Sequence, residues 1–220
     1  MTVQNVPHHT LTTGQKVYGL LKNLLDFLIS LAALLVLLLP LLLLAVIIKI
    51  DDPGPVFFRQ KRIGKHQRPF MMLKFRTMRT ATPKDTPTHL LKNPEQYITR
   101  TGRFLRKTSL DELPQLLNIL AGQMSIVGPR PALWNQDDLN EAREALGVQQ
   151  VRPGLTGWAQ LNGRDELEIP VKAALDGEYL QKFGLWMDIR CFFGTFLAVL
   201  SGKGVVEGGT GAMHDHNDLK

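Results

Sequence analysis

The stretch that decides the fold covers residues 27–48 and reads FLISLAALLVLLLPLLLLAVII. Its length of about 22 residues meets the roughly 20 residues that a helix needs to cross the hydrocarbon core of a bilayer. Polar or helix-breaking residues interrupt it only at Ser30 and Pro40. The sequence therefore predicts a membrane helix over residues 16–50, preceded by a mobile tail over residues 1–15.

Pro40 lies deep inside this stretch, and its position predicts a bend. A proline removes one helical hydrogen bond, and its ring clashes with the preceding turn. One compatible arrangement is a kinked helix that spans the bilayer, because membrane helices tolerate proline. The other is a helix-break-helix that enters and leaves the membrane by the same face. Lysines on both flanks of the stretch leave both arrangements open.

The basic residues around the stretch predict its orientation, because few precede it and many follow it. They are Lys16 and Lys22 before it, and Lys49, Arg59, Lys61, Arg62, Lys65, Arg68, Lys74, Arg76 and Arg79 after it. The positive-inside rule places a domain over residues 51–201 in the cytoplasm, followed by a flexible tail over residues 202–220. The single cysteine, Cys191, excludes an internal disulfide, which agrees with a reducing compartment.

The composition describes one ordinary folded domain with an excess of positive charge. A chain of 220 residues with 44% hydrophobic residues can bury one core, and that length rarely supports two. The net charge of +6 indicates an anionic partner, such as a phospholipid surface, a nucleic acid or a phosphorylated substrate. The basic segment at residues 59–79 carries no helix-turn-helix, zinc or base-stacking motif, which argues against nucleic acid.

Local patterns predict an α+β domain after the membrane segment. Short apolar runs at residues 56–58 and 70–75 flank turn-forming residues, which is typical of a β-hairpin. Helical periodicity predicts four helices, at residues 111–120, 132–146, 170–182 and 185–200. The last helix has an apolar side formed by Phe192, Phe193, Phe196, Leu197 and Leu200. That side suits either a membrane surface or the protein core.

The residues that could carry chemistry are centred on Asp111 and Glu112, two adjacent carboxylates. In one interpretation, Ser109 caps a helix and Glu112 is its partner three residues later, as in a capping box. In the other, Asp111 is a nucleophile and Glu112 holds a divalent metal ion. Magnesium suits the second interpretation, because it binds few protein carboxylates and completes its shell with phosphates and water. Arg106 and Arg130 would then offset charge on the attacked phosphate.

Five segments, in order along the chain, resemble the bacterial sugar transferase family, the small monotopic phosphoglycosyl transferases. They are DDPGPVFFRQ at 51–60, KFRTM at 74–78, TSLDELPQ at 108–115, MSIVGPRP at 124–131 and RPGLTGWAQ at 152–160. The resemblance covers about residues 22–201. Chance agreement of five ordered segments is implausible.

The resemblance implies a magnesium-dependent reaction in two steps. An aspartate, matched by Asp111, attacks the sugar-bearing phosphate of a UDP-sugar and UMP leaves. Polyprenyl phosphate, such as undecaprenyl phosphate, then takes the phosphosugar from the enzyme. Glu112 matches the metal-binding acid. The resemblance places this first membrane step of glycoconjugate assembly on the cytoplasmic face of a bacterial inner membrane.

Eight residues are candidates for contact with substrate, and all but Asp176 lie in or just before the matched segments. They are Lys74, Arg76, Arg106, Arg130, Arg152, Trp158, Gln160 and Asp176. By resemblance, Lys74, Arg106 and Arg130 correspond to family cations near the phosphates, and Asp176 falls where a further functional carboxylate occurs. Arg76 also suits a contact with anionic headgroups, and Trp158 and Gln160 also suit packing in the core.

The resemblance further implies a re-entrant membrane segment, broken at a proline matched by Pro40, with some helices lying on the membrane surface beside anionic lipid. The chain departs from the family at Leu39, where a serine is common, and at Lys22-Asn23, where Lys-Arg is common. The sugar, the glycan pathway and the assembly state, including a homodimer, stay open. The rival functions are a membrane-tethered binding protein and an inactive scaffold, and the intact Asp111-Glu112 pair argues against the scaffold.

Overall fold

The computed structural model describes residues 6–82, 94–163 and 167–200. The helices and strands are α1 (Thr13–Asp51), β1 (Phe57–Ile63), β2 (Pro69–Phe75), α2 (Arg100–Thr108), α3 (Gln115–Leu120), β3 (Ser125–Val127), α4 (Asp137–Ala145), β4 (Gly154–Thr156), α5 (Trp158–Leu161), α6 (Ile169–Gln181) and α7 (Leu185–Leu200). Further 3-10 turns cover Lys65–Gln67, Pro94–Tyr97, Leu110–Glu112 and Val148–Gln150. This mixture of helices and strands confirms the predicted α+β composition. The tail predicted at residues 202–220 lies outside the described residues.

Both ends of α1 are defined by hydrogen bonds. The Thr12 hydroxyl accepts from the Gln15 N–H at 3.2 Å, and the Gln15 side-chain oxygen accepts from the Thr12 N–H at 3.0 Å. This reciprocal pair is a capping box, which satisfies amides that a helix start leaves open. At the other end, the Asp52 N–H donates to the Ile48 carbonyl at 3.2 Å. The helix starts slightly earlier and ends slightly later than the predicted segment, residues 16–50.

Pro40 lies inside α1 without interrupting it. The family resemblance implied a break at this residue, the residues alone left a kinked spanning helix open as well, and the structure has one continuous helix. A proline withholds its own N–H and crowds one turn, while the turns on either side keep their hydrogen bonds. Residues 38–40 are exposed, so the ring meets no packed neighbour that would end the helix there.

One stripe of α1 packs against the rest of the protein along its length. Tyr18 meets Phe183 edge to face, with ring centroids 5.2 Å apart. Leu34 packs against the cluster around Phe70, and Ile48 is buried near the end of the helix. The other side of α1 is exposed. In its apolar stretch of 18 residues, 6% is buried inside the protein, whereas a core helix would be mostly buried. Among the described residues, α1 is the helix long and apolar enough to cross a membrane, and its exposed leucines indicate membrane association.

The described part of the segment before α1 is docked on the domain. The His9 N–H donates to the Leu146 carbonyl at 3.2 Å, and the Leu11 N–H donates to the side-chain oxygen of Gln150 at 3.2 Å. The Gln150 amide in turn donates to the His9 carbonyl at 2.6 Å. These contacts differ from the mobile tail expected over residues 1–15, of which residues 1–5 lie outside the described residues.

The predicted hairpin is confirmed and is longer than its apolar runs suggested. β1 and β2 pair antiparallel, from Phe57 opposite Phe75 to Ile63 opposite Pro69. The inner face of β2 is buried against α3 in a cluster that joins Met72 to Leu116. The hairpin therefore fixes the end of β2 beside the turn that follows α2.

A second, parallel pair of strands was not predicted. Ser125 in β3 lies opposite Gly154 in β4, and Val127 lies opposite Thr156. The Gly128 N–H donates to the Thr156 carbonyl at 2.8 Å, which carries the pairing past the end of β3. A Cβ atom on Gly154 would overlap the backbone of Gly128, so this approach requires glycine.

The helices differ from prediction at their boundaries. The helix predicted at residues 111–120 is a 3-10 turn followed by α3, and the helix predicted at residues 132–146 begins at Asp137. α2 was not predicted. α6 and α7 lie close to their predicted positions. In α7, Met187 and Cys191 are buried, while the side that bears Phe193 and Phe196 is exposed.

Candidate active site

Asp111 and Glu112 lie in a 3-10 turn, Leu110–Glu112, between α2 and α3. Ser109 precedes this turn in the left-handed conformation, with φ of 56°, and it ends α2. Its side chain makes no capping hydrogen bond to the turn. The capping-box interpretation of Ser109 and Glu112 is therefore wrong, because Ser109 closes one helix instead of opening the next. Glu112 is free to take other partners.

Those partners are two cations from distant parts of the chain. Arg130 Nη2 lies 2.7 Å from Glu112 Oε1, and its Nη1 donates to Oε2 at 3.4 Å. Lys74 Nζ lies 2.9 Å from the same Oε1 and 3.7 Å from Asp111 Oδ2. Lys74, Asp111, Glu112 and Arg130 form what we call the site cluster. It contains two negative and two positive side chains.

Each member of the site cluster is held by regular structure. Lys74 is the penultimate residue of β2, and the neighbouring Leu73 N–H donates to Asn118 Oδ1 at 2.9 Å. The Asn118 amide donates to the Met71 carbonyl at 2.8 Å, which fastens α3 to β2. Arg130 follows β3, where the Gly154 N–H donates to the Pro129 carbonyl at 2.9 Å. The fold thus brings together residues far apart in sequence.

The charges of the site cluster keep Glu112 ionised. Burial raises the pKa of Glu112, but the positive charges of Arg130 and Lys74 and their hydrogen bonds outweigh it, so its pKa lies well below the ordinary value. Asp111 is the most deeply buried member, with a side chain 4% exposed, against 15% for Lys74 and 23% for Arg130. The side chains of Lys74, Glu112 and Arg130 are partly exposed, so solvent reaches the cluster at these three residues and not at Asp111.

Two further predicted cations have other partners in the structure. Arg106 Nε donates to the Thr77 hydroxyl at 2.9 Å, in the segment just after β2. Arg76 is buried and pairs with Asp52, with Nη1 2.7 Å from Oδ2. The Arg76 guanidinium also donates to the Asp52 carbonyl. Arg76 therefore fastens the end of α1 to the domain, which differs from its expected contact with substrate or headgroups.

The structure places Asp176, the predicted substrate-binding carboxylate, in a buried ion pair. It is 1% exposed, and its Oδ2 lies 2.6 Å from Arg143 Nη2 on α4. Burial raises the pKa of Asp176, and the opposing charge of Arg143 does not fully offset this. The pair joins α4 to α6 inside the protein, where a buried carboxylate needs such a partner.

The residues after β4 are engaged mainly in packing. Trp158 donates through Nε1 to Glu178 Oε2 at 2.8 Å, and the guanidinium of Arg190 lies over its ring at 4.7 Å. Gln160 donates to the Leu155 carbonyl at 3.2 Å. The Arg152 guanidinium lies beside Gly122. These contacts match the packing alternative for Trp158 and Gln160.

Comparison with known proteins matches this arrangement to one family. The family model for bacterial sugar transferases matches residues 17–202. The chain belongs to the bacterial sugar transferase family. This confirms the family resemblance that the five ordered segments predicted, and the match covers both α1 and the site cluster.

Three relatives of this sugar transferase show the range of the match. The UDP-glucose:undecaprenyl-phosphate glucose-1-phosphate transferase of Xanthomonas campestris pv. campestris is 42% identical over 189 residues, which are 83% of this chain and 39% of the relative. The Escherichia coli (strain K12) protein of the same name is 39% identical over 181 residues, 79% of this chain and 39% of the relative. The exopolysaccharide production protein PSS of Rhizobium leguminosarum bv. phaseoli is 42% identical over 195 residues, 84% of this chain and 98% of the relative. The chain thus spans well under half of the first two relatives and nearly all of the third.

The donor set of this sugar transferase fits a magnesium ion that arrives with a phosphorylated ligand. Among residues 6–82, 94–163 and 167–200, no group of three or more His, Cys, Asp or Glu side chains is arranged to hold a metal. Magnesium does not need one, because it binds through one or two carboxylates and takes its other ligands from phosphates and water. Glu112 supplies one such carboxylate, and the Lys74 and Arg130 cations beside it suit the phosphates of that ligand.

The sugar transferase fold also contains a charged assembly that sequence reasoning missed. Lys22 Nζ lies 2.7 Å from Asp188 Oδ2 and 3.7 Å from Asp26 Oδ1, and Asp26 accepts from the Ser125 hydroxyl at 2.6 Å. We call Lys22, Asp26, Asp188 and Ser125 the helix network. The available signal was the pair of charges four residues apart just before the apolar stretch, which one turn of helix places on the same side.

Proposed function

We propose that this sugar transferase moves a sugar-1-phosphate from a UDP-sugar to a polyprenyl phosphate such as undecaprenyl phosphate and releases UMP. The observation that carries the proposal is the Asp111 carboxylate, held beside an ionised Glu112 and within 3.7 Å of the Lys74 ammonium. The names of the Xanthomonas and E. coli relatives support the same donor and acceptor classes. UDP-glucose is therefore the first donor to test.

The proposed reaction has two displacements at one phosphorus atom. An oxygen of Asp111 bonds to the sugar-bearing phosphorus, the bond from that phosphorus to the bridging oxygen breaks, and UMP leaves with the electron pair. An oxygen of the polyprenyl phosphate then attacks the same phosphorus and the bond to Asp111 breaks. The carboxylate is regenerated and the product is a polyprenyl diphosphate sugar.

The cations of the site cluster would do the electrostatic work in both steps. A carboxylate and a diphosphate repel each other, so their approach needs positive charge held in place beforehand. Lys74 lies against both carboxylates, and Arg130 is a planar guanidinium suited to paired phosphate oxygens. Both cations are partly exposed, so they can exchange Glu112 for a ligand phosphate.

We also propose that Glu112 holds the magnesium ion, with Asp111 reserved for attack. The low pKa of Glu112 supports this, because a metal ligand must be deprotonated. When bound, the ion would neutralise charge on the diphosphate oxygens.

The packing of α1 supports a re-entrant arrangement at the cytoplasmic face of the inner membrane. A straight helix of 39 residues is about 58 Å long. A domain of roughly 150 residues has a radius of gyration of about 15 Å and therefore a width near 40 Å. A straight α1 would be longer than the domain on which it packs. The first turns of α1 contact α6 through Gln15, and its last residue accepts from the Thr101 N–H at 2.8 Å, so both ends stay on one domain. A segment that keeps both ends on one domain is more compatible with entry and exit on one face than with crossing.

The exposed side of α7 supports a further contact with the membrane surface. It presents Trp186, Phe192, Phe193, Phe196 and Leu197, each between 47% and 79% exposed. Such aromatic surface suits the interface between headgroups and acyl chains. The basic residues that follow α1 suit anionic lipid headgroups.

The test is release of UMP by purified protein with magnesium, UDP-glucose and undecaprenyl phosphate, followed by a panel of other UDP-sugars. We expect Asp111→Asn to abolish UMP release while its thermal unfolding stays close to that of the wild type. Asp137→Asn, an exposed aspartate on α4, is the matched control and should retain activity. UMP release by Asp111→Asn would remove Asp111 from the reaction.

The binding-protein alternative makes the opposite forecast in the same preparation. It predicts no UMP release with any UDP-sugar, together with retention of nucleic acid that weakens steeply as salt rises.

A further inference from the structure

The helix network joins the membrane helix to the strand that leads into the active site. Asp26 is 4% exposed and lies on α1. Its Oδ2 accepts from the Ser125 hydroxyl at 2.6 Å, and its Oδ1 accepts from the Ile126 N–H at 3.3 Å. One carboxylate of α1 therefore holds two consecutive residues of β3.

Asp26 occupies the edge of β3 that β4 leaves open. In the parallel pair, the Ser125 and Gly128 amides point toward β4, where they donate to the Pro153 and Thr156 carbonyls at 2.8 Å. The Ile126 amide points the other way, to Asp26. A three-residue strand paired on one side is a weak element, so a bond on its second edge adds substantially to its order.

The same strand runs directly into Arg130. The Val127 carbonyl lies 2.9 Å from the Ser125 hydroxyl and 3.1 Å from the Tyr179 hydroxyl, whose single protons go to the closer carboxylates of Asp26 at 2.6 Å and Asp188 at 2.7 Å. Three residues later, Arg130 pairs with Glu112 at 2.7 Å. The Ser125–Pro129 backbone carries Arg130 at its end, so a shift of Ser125 and Ile126, the two residues that Asp26 holds, would displace the Arg130 guanidinium from Glu112.

The other contacts of the helix network connect Asp26 to the position of α1 on the domain. Lys22 bridges Asp26 and Asp188 of α7, and its side chain is 9% exposed. Breaking a buried ion pair by removing one partner is costly, because the other charge stays buried without compensation. Movement of α1 away from the domain would break the pair and release β3 at the same time.

We infer that Asp26 is a positioning residue that couples the seating of the membrane helix to the placement of Arg130 at Glu112. Asp26 touches no substrate in this account. It acts through β3, so that the site cluster is complete only while α1 lies in its place on the domain. The inference rests on the proposed function, because it assigns Arg130 a part in the reaction.

A plain stabilising role for Asp26 would also reduce activity, so the test is a double-mutant cycle. If Asp26 acts through Arg130, then Asp26→Ala lowers kcat roughly tenfold in the wild type, the loss expected for a supporting residue. In the Arg130→Gln background, Asp26→Ala should change kcat by less than about twofold. A change of about twofold is the tolerance within which the effects of independent substitutions add. The change in KM caused by Asp26→Ala should have the same direction as the change caused by Arg130→Gln.

Asp51→Ala is the matched control, because Asp51 is also an aspartate of α1 that accepts a backbone N–H, at 2.8 Å from Thr101 on α2. The effect of Asp51→Ala on kcat should be the same in the wild-type and Arg130→Gln backgrounds. Ser125→Ala provides the same cycle from the other end of the bond, should Asp26→Ala fail to fold. It keeps the carboxylate and its contacts with Lys22 and Ile126.

Hydrogen exchange supplies a readout that does not depend on turnover. Asp26→Ala should raise amide exchange over residues 125–130, and Asp51→Ala should not. Equal losses of kcat in both Arg130 backgrounds, or unchanged exchange over residues 125–130, would overturn the inference. Absence of UMP release from the wild-type protein would instead overturn the proposed function, and the exchange result would then judge whether Asp26 orders β3.

Discussion

The protein contains two clusters of charged side chains that have similar contacts and different surroundings. In the site cluster, the side chains of Lys74, Glu112 and Arg130 are 15%, 17% and 23% exposed. In the helix network, those of Lys22 and Asp26 are 9% and 5% exposed. The open cluster can exchange its internal partners for a ligand, whereas the sealed one can only hold two elements together. Asp111, with a side chain 4% exposed, is as buried as the helix network, so it is the exposure of Lys74, Glu112 and Arg130, rather than ion-pair distance, that sets the site cluster apart.

Removing one lysine from each cluster sharpens this comparison, and the largest effect is expected in the sealed cluster. Lys22→Met leaves Asp26 and Asp188 without their shared cation, which should cost about 3–5 kcal/mol of folding stability. The measurement is denaturant unfolding of the detergent-solubilised protein. Lys16→Met, on the exposed side of the same helix, should cost less than about 0.5 kcal/mol. Equal stability of the two variants would refute the idea of a sealed joint.

The equivalent change in the open cluster should act on rate instead of stability. Lys74→Met removes the cation that touches both carboxylates and should lower kcat by about 10²–10³-fold, as for the loss of one preorganised electrostatic contact. Thermal unfolding should move less than in Lys22→Met, because Glu112 is partly exposed and keeps its pair with Arg130. Lys182→Met, which breaks a surface ion pair with Glu178 of 2.6 Å, is the control and should keep the wild-type rate. A wild-type kcat in Lys74→Met would place the chemistry elsewhere.

A smaller effect is expected from the pH dependence of stability. The pKa of Glu112 is lowered in the folded protein, so its ionised form stabilises the fold above the ordinary glutamate pKa of 4.5, and this contribution is lost as the pH falls toward the folded value. One such group changes stability by at most about 1.4 kcal/mol per pH unit. Below pH 4.5, the free energy of unfolding should therefore change less with pH in Glu112→Gln than in the wild type. Equal slopes would show that Glu112 is not held ionised by Lys74 and Arg130.

The smallest effect tests a residue that lies in neither cluster. Trp158→Phe removes the hydrogen bond to Glu178 and should cost roughly 0.5–1.5 kcal/mol of stability. KM for the UDP-sugar should stay at its wild-type value, because the contacts of Trp158 are internal. A rise in KM without loss of stability would restore Trp158 as a substrate contact.

Sequence reasoning worked where the signal was local. The apolar stretch and the hairpin follow from patterns within one segment, and Asp111 and Glu112 are adjacent in the chain. α2 was missed because the segment Arg100–Thr108 is dominated by basic and polar residues and buries little apolar surface beyond Leu105.

The remaining features depend on contacts between distant residues. β3 and β4 have three residues each, too short for a strand pattern, and their pairing exists only once the chain has folded. The bond from Asp26 to Ser125 joins residues 99 positions apart. Ser109 misled the capping interpretation because its left-handed conformation is set by the packing of α2 against the following turn, which no local pattern reveals.

In the proposed reaction a carboxylate oxygen of Asp111 bonds to phosphorus during each cycle, and the mass of the protein after exposure to donor alone tests this bond most directly. Purified protein is incubated with magnesium and the UDP-sugar without polyprenyl phosphate, quenched, and measured intact and after digestion. We expect one added phosphosugar on the peptide that contains Asp111, its loss on addition of polyprenyl phosphate, and no adduct in Asp111→Asn. Turnover with both substrates but no adduct on that peptide under any quench would contradict it.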